Sequence, residues 1–356
     1  MAFNNTEATD VANAVLDWYA RGPALAQNIQ DKPLLRVLDS SKKTFPAGKD
    51  YVVSNVVGDW MIDNTAYSGG TAAHATFFAG YTEAEVLQFT ESDHIHKVYY
   101  EWKEVHAGLV ITWTELKKSG ITINDGNRVS RHSQAELAVL TDLLEDRYAD
   151  FMESWTRSKN LMFWKDGSQD SDQVPGVLSI LTDTPAVGTT GGQVRADHTW
   201  WRHRAAVGAS KISASATDQT LTKFLRKELV QLRRYGGKPT RALCGSDFIE
   251  ALRLEVHEKG YYTQTGFTGT QDIGIGTIRL DNLVFEYDPT LDDLGLSKRC
   301  YILDTRRLRL RPMDGEDDKL SFPERPYDYA IMLKSMFWTG TLECNQLNAQ
   351  GVYECA

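Results

Sequence analysis

Two imidazoles one residue apart are the arrangement in this chain that most directly suggests chemistry. His94-Ile-His96, with Asp93 beside it, puts both rings on one side of a strand, a spacing able to hold zinc. The sequence offers no evident third ligand, and polar residues on the return limb of a solvated loop are the expected reading. A second cluster, Asp197-His-Thr-Trp-Trp-Arg-His203, gathers an acid, two bases and two tryptophans. It can be read as an acid/base site, as a nucleic-acid contact with interleaved aromatics, or as plain packing.

Other charged runs are weaker. Lys223, Arg226, Lys227, Arg233, Arg234, Lys238 and Arg241 stand against a single Glu228, a basic face that contacts phosphate or an acidic partner, or is simply solvated. Asp314-Gly-Glu-Asp-Asp-Lys319 has acids without the twelve-residue spacing of a calcium loop. Cys244, Cys300, Cys344 and Cys355 lack the Cys-x-x-Cys spacing of a zinc knuckle and read as small buried hydrophobes or idle thiols. Phosphate-binding glycine loops, nucleophile elbows and His-Glu-x-x-His helices are all missing; Gly274-Ile-Gly276 lacks the third glycine of a dinucleotide site. No catalytic residue, cofactor or metal is therefore expected, and the chain is not read as an enzyme.

The 356 residues are 42% hydrophobic and 24% charged, enough to bury a core without disulfide or metal staples. The net charge of −9 argues against general affinity for nucleic acid, which needs Lys and Arg to displace counterions. The longest apolar runs fall far short of the ~20 residues that cross a bilayer. Met1-Ala-Phe-Asn-Asn-Thr-Glu has neither the basic start nor the apolar stretch of a signal peptide, so the chain is expected to stay in the cytosol.

The elements that would carry these residues follow from periodicity. Residues 6–20 place Val11, Val15, Trp18 and Tyr19 on one helical face, ended by Gly22-Pro23, and Leu34, Leu35, Val37 and Leu38 beyond it are candidate docking contacts. Tyr51–Val57 predicts a strand, followed by a long polar and aromatic excursion through the Gly69-Gly70 turn, Phe77 and Phe78. Val98–Ile111 is rich in strand formers. From Ser133 to about Lys159, Leu137, Leu140, Leu144, Tyr148, Phe151 and Trp155 recur at steps of three and four and predict one long core helix. Asp218–Tyr235 and Ser246–Lys259 predict two more helices, with a strand at Thr240–Leu243 between them. The alternation points to an α+β class.

The tail is the most informative stretch. Ile273–Tyr287, Arg299–Thr305 and Trp338–Val352 alternate apolar residues with turn formers and carry no nucleophile or base. This order of pieces resembles the C-terminal third of major capsid proteins of tailed bacteriophages, which share the Hong Kong 97-type fold. The similarity extends upstream to Gly176-Val-Leu-Ser-Ile180, Gly191–Arg202 and Lys238–Phe248.

The resemblance implies an N-terminal arm (1–47), an extended loop reaching over a neighbour (48–97), a peripheral domain (98–235) with a spine helix (133–159), an axial domain (236–299) and a return to the peripheral domain (300–356). It implies hexamers and pentamers closing an icosahedral shell around double-stranded DNA, with assembly in the host cytoplasm and the chain resident in the virion. Portal and decoration proteins would be partners; with 47 residues ahead of the loop and a starting Met1, a separate scaffold or none is implied, and no N-terminal cleavage. An acidic shell encloses DNA without gripping it. Val11, Val15, Trp18, Gly69, Gly70, Phe77 and Phe78 become the expected subunit interface, Leu137 to Trp155 the core of the spine helix, and Asp197–His203 a packing strand. With no lysine between Tyr51 and His96, a loop-to-neighbour isopeptide crosslink is not expected. An encapsulin-type compartment on the same fold, or a metal-dependent hydrolase using His94 and His96, is the alternative.

Overall fold

The computed structural model describes residues 30–58, 82–83, 95–118, 134–215, 217–258, 278–321 and 331–356. In chain order these form α1 (Pro33–Ser40), β1 (Tyr51–Val57), β2 (Ile95–Glu101), β3 (Lys103–Thr112), α2 (Trp113–Lys118), α3 (Gln134–Trp164), α4 (Val177–Ile180), β4 (Thr189–Thr190), β5 (Gln193–Val194) and β6 (Arg204–Ala206). There follow α5 (Thr220–Arg233), β7 (Arg241–Cys244), α6 (Ser246–Glu258), β8 (Ile278–Leu280), β9 (Leu283–Tyr287), α7 (Pro289–Asp293), β10 (Arg299–Leu303), β11 (Leu308–Pro312), β12 (Lys319–Leu320), β13 (Ile331–Cys344) and β14 (Gly351–Glu354). The class is α+β, as expected.

Two compact units share these residues. The smaller contains Met1–Asp31, Gly108–Arg157 and Phe322–Lys334; the larger contains Lys32–Ala107, Ser158–Ser321 and Ser335–Ala356.

The larger unit is organised around a six-stranded sheet of order β6-β14-β10-β7-β9-β8. Pairing is mixed: β7 runs parallel to β9 and β14 parallel to β6, while β10 is antiparallel to both β7 and β14. Cys300, Tyr301, Ile302 and Leu303 are all fully buried because both faces of β10 are covered, which is why this strand reads as an unbroken apolar run. On one face Leu221, Leu225, Leu229 and Leu232 of α5 and Phe248, Ile249 and Leu252 of α6 pack against Ala242, Cys244, Phe285, Cys300 and Ile302. On the other, Tyr301 meets the ring of Trp164 edge-on, with centroids 5.1 Å apart. A domain boundary at 236 or 299, as the resemblance implied, would pass between hydrogen-bonded strands of this one sheet. Pairing partners distant in sequence bring Arg204–Ala206 and the C-terminal strand to it.

The N-terminus of α5 has no side-chain cap of its own, since Gln219 before it adopts φ 53°. Glu255, from α6 and 1% exposed, supplies the cap: its carboxylate accepts from the Leu221 and Thr222 amides and the Thr222 hydroxyl, each at 2.8 Å. A negative group there also meets the positive end of the helix dipole. Glu255→Ala strips one bond from a buried donor and two from part-buried ones, and is expected to lower unfolding stability by about 3 kcal/mol, read as a urea midpoint shift. An unchanged midpoint would mean that water caps the helix equally well.

The long helix is α3, 31 residues and roughly 46 Å at ~1.5 Å per residue. It runs to Trp164, beyond the expected Lys159, because nothing interrupts it before Gly167 (φ +91°) and its last turn is anchored. Phe163 and Trp164 are fully buried, and Asn160 accepts from the Leu35 amide and donates to the Thr290 hydroxyl. Leu34, Leu35, Val37 and Leu38, expected to dock on another subunit, are instead buried in the short helix α1. Pro33 at its first turn starts the helix without needing the missing amide.

Candidate assembly interface

β1 and β2 form a two-stranded antiparallel ribbon, paired without slippage from Tyr51↔Glu101 to Val57↔Ile95. Side chains alternate across it. Val52, Val56, Val98 and Tyr100 point inward and are buried, and the Tyr100 hydroxyl donates to the Cys344 carbonyl at 2.6 Å. Tyr51, Val53, Val57, Ile95 and Tyr99 lie on the outward face, 44 to 64% exposed. An isolated ribbon is marginal in water, and an apolar face of this kind is a docking surface more than a solvated one.

The ribbon is held at its β2 edge by the small β4–β5 hairpin. The Tyr99 amide donates to the Gly191 carbonyl at 3.0 Å, and the Gln193 side-chain amide to the Lys97 carbonyl at 2.9 Å. Gly191 sits at φ +59°, and a Cβ there would stand 2.1 Å from Val98 Cγ1, so only glycine allows the approach. The Gly191-Gly192 turn, at the start of the Gly191–Arg202 stretch to which the resemblance extends, is thus the clasp of the ribbon.

Residues 197–203 are turns and bends, correcting the expected packing strand. Packing is nonetheless what they do. Their side chains reach backbone carbonyls outside the segment: Trp201 Nε1 donates to the Thr190 carbonyl at 3.0 Å, Arg202 to the carbonyls of Arg195 and Ala196, and His203 Nε2 lies 2.6 Å from the Thr182 carbonyl. His96 stacks on Trp200 at 5.1 Å and stands 5.1 Å from the ring of His198. His94 lies outside the described residues. Among the described residues no group of three or more His, Cys, Asp or Glu could hold a metal ion.

The acids at 314–319 serve the fold. Lys42 bonds Asp317 at 2.6 Å, Lys159 reaches Asp318 at 2.9 Å, Trp338 Nε1 donates to Asp317, and Glu316 pairs with Lys319. Glu228, the lone acid of the basic stretch, is buried and takes a two-pronged contact from Arg204 at 2.8 Å. Lys223, Arg226, Lys227, Arg234, Lys238 and Arg241 are exposed.

All four cysteines are buried, Cys244 directly opposite Cys300 across β7 and β10. Burial pushes the Cys244 thiol well above its ordinary range and the Cys344 thiol up to about 12. Thiolate is the reactive form. A colorimetric disulfide reagent at pH 8 is therefore expected to find no thiol in the native protein and four in concentrated guanidinium; rapid reaction of any native thiol would contradict the burial.

Of the interface residues expected from sequence, Val11, Val15, Trp18, Gly69, Gly70, Phe77 and Phe78 lie outside the described residues. Leu137, Leu140 and Leu144 are on α3 with side chains outside them, while Tyr148 and Phe151 are half-buried and Trp155 is buried. The outward face of the ribbon was missed.

No protein-family model matches the sequence, and no curated protein is similar to it. Solved structures do match. The capsid asymmetric unit of cyanophage A-1(L) is similar over 94% of this chain and 95% of that one, at 13% identity and a TM-score of 0.60. The capsid of a native GTA particle is similar over the full length of both chains, at 14% identity and a TM-score of 0.55. The capsid of Myoviridae phage XM1 covers 93% of this chain and 94% of its own, at 10% identity and a TM-score of 0.52. The chain has the fold of tailed-phage capsid proteins.

The match runs over nearly the whole length, so the resemblance carried by the tail extends to the ribbon and the long helix. At identities of 10 to 14% it is a likeness of architecture.

Proposed function

We propose that this chain is a major capsid protein, a structural protein that self-assembles as hexamers and pentamers into the icosahedral head enclosing the double-stranded DNA of a tailed phage. The observation that carries the reading is the match in fold to phage capsid chains from end to end. The exposed apolar face of the ribbon, on an element too small to stand alone, supports it by supplying a surface suited to cover by another subunit.

In this reading residues 1–47 are the arm, 48–97 the extended loop whose stem is the ribbon, and Ser133 to Trp164 the spine. The axial domain takes in the six-stranded sheet with α5 and α6, and so draws β6, β10 and β14 away from the peripheral domain. The role is one of packing, without catalysis or cofactor, and scaffold, portal and decoration proteins are its partners. The chain is assembled in the host cytoplasm and ends in the virion.

Particles purified from cells and treated with nuclease test the reading. Protected DNA inside closed shells is the expected result. Shells that carry protein cargo and no protected DNA would favour a storage compartment instead.

A further inference from the structure

Helix α5 turns its leucine stripe into the core and its basic residues outward. At ~100° per residue, Lys223, Arg226, Lys227 and Arg234 fall within about 100° of arc, opposite Leu221, Leu225, Leu229 and Leu232, and all four are exposed. Arg234 still belongs to this face, since it keeps helical geometry at φ −53° and ψ −38°. The acid of the helix, Glu228, is turned inward and neutralised by Arg204. Among the described residues none of the four cations has a carboxylate partner, whereas Arg233 beside them pairs with Asp281 at 3.5 Å.

The positive surface continues past the helix end. Arg234 lines an open cleft of about 1020 Å³ that also holds Arg202 and Arg307 and no Asp or Glu. From Lys223 to Arg234 the helix rises roughly 16 Å at ~1.5 Å per residue. One strand of duplex DNA presents a phosphate every ~3.4 Å, about five over that length. The net charge of −9 governs approach from a distance, but a local excess of cations decides what can be held in contact.

We propose that this face of α5, with the mouth of the cleft, binds the phosphate backbone of nucleic acid without reading its sequence. Solvated cations gain little from the carboxylates of another protein, because an exposed ion pair exchanges one set of water contacts for another. An acidic protein would therefore need apolar anchors among the charges, and Val230 is the only large hydrophobic exposed within the arc among the described residues. Nucleic acid differs in carrying condensed counterions, whose release drives binding even where the cations stay solvated. The inference rests on the proposed function, which brings DNA against one side of each copy, and adds which surface meets it.

Fluorescence anisotropy of a short labelled DNA duplex, titrated with full-length protein kept too dilute to close shells, tests this. Wild-type affinity is expected to fall with salt at a log–log slope of about −3.6, ~0.9 for each of the four cations, hence roughly a hundredfold between about 50 and 200 mM. Lys223→Gln, Lys227→Gln and Arg234→Gln together should cut the slope to about −0.9; glutamine keeps the helix, its propensity being close to that of Lys and Arg. Lys43→Gln, Lys49→Gln and Lys298→Gln, an equal charge change at exposed positions off the helix, should leave the slope at the wild-type value. An unchanged slope in the α5 variant, an equal loss in the control, no duplex binding by the wild type at low salt, or polyglutamate binding as tightly as the duplex would overturn the proposal. The titration uses unassembled chains, so it can fail while closed shells with protected DNA still form, and the proposed function then stands without it.

Discussion

Trp164→Ala is expected to leave the chain largely insoluble, with any folded fraction destabilised by about 5 kcal/mol. Trp164 is fully buried at the end of α3, edge-on to Tyr301, and its Nε1 donates to the Asp288 carboxylate at 2.9 Å. Truncating a buried tryptophan costs ~3–5 kcal/mol, and a buried carboxylate that loses a donor adds ~1–3. Burial already raises the Asp288 pKa, so its charge depends on the donors that remain, chiefly the Thr290 amide. A domain holds only ~5–15 kcal/mol in all. Trp164→Phe keeps the ring and loses the donor, and should cost about 1–3 kcal/mol by urea midpoint. A wild-type midpoint for the alanine variant would remove the helix end from the core.

The second large effect is one of pH. Burial lowers the pKa of His203 from 6.5 to about 4, with Arg195 adding to the shift and the Thr182 carbonyl and Asp183 opposing it. The unfolded chain therefore takes up a proton near pH 6.5 that the folded chain refuses until pH 4. Stability is full above 6.5 and falls as pH drops from there to 4, by about 3 kcal/mol in total. His203→Gln removes the titration. Urea midpoints of the two proteins between pH 7 and 4 should converge as the wild type loses ground. Parallel curves would show that the ring is already protonated, or solvated, in the folded state.

Legibility in the sequence followed how local each cause is. Tyr51–Val57 was read to the residue, since β-branched residues between turn formers need no partner to be recognised. The stripe Leu221, Leu225, Leu229 and Leu232 likewise marked α5. Which face of the ribbon is buried was hidden, because Tyr51-Val-Val-Ser-Asn-Val-Val puts apolar residues at both parities, and burial of Val52 and Val56 comes from packing elsewhere. The cap on α5 comes from Glu255, 34 residues after Leu221, beyond any capping rule read along the chain. The domain boundaries missed the sheet for the same reason: β6 and β14 pair across nearly 150 residues. The resemblance made 197–203 a packing strand; instead the Arg202 side chain turns back on the carbonyls of Arg195 and Ala196, just ahead of the segment.

The central claim, that copies of this chain close into a shell, is tested most directly by electron microscopy of the purified full-length protein after size-exclusion chromatography. Closed particles in the void volume are predicted, with rings of six and of five copies resolved by averaging and the outward face of β1 and β2 covered by a neighbouring copy. A single small oligomer eluting well inside the column, with Tyr51, Val53 and Ile95 open to solvent, would contradict the account.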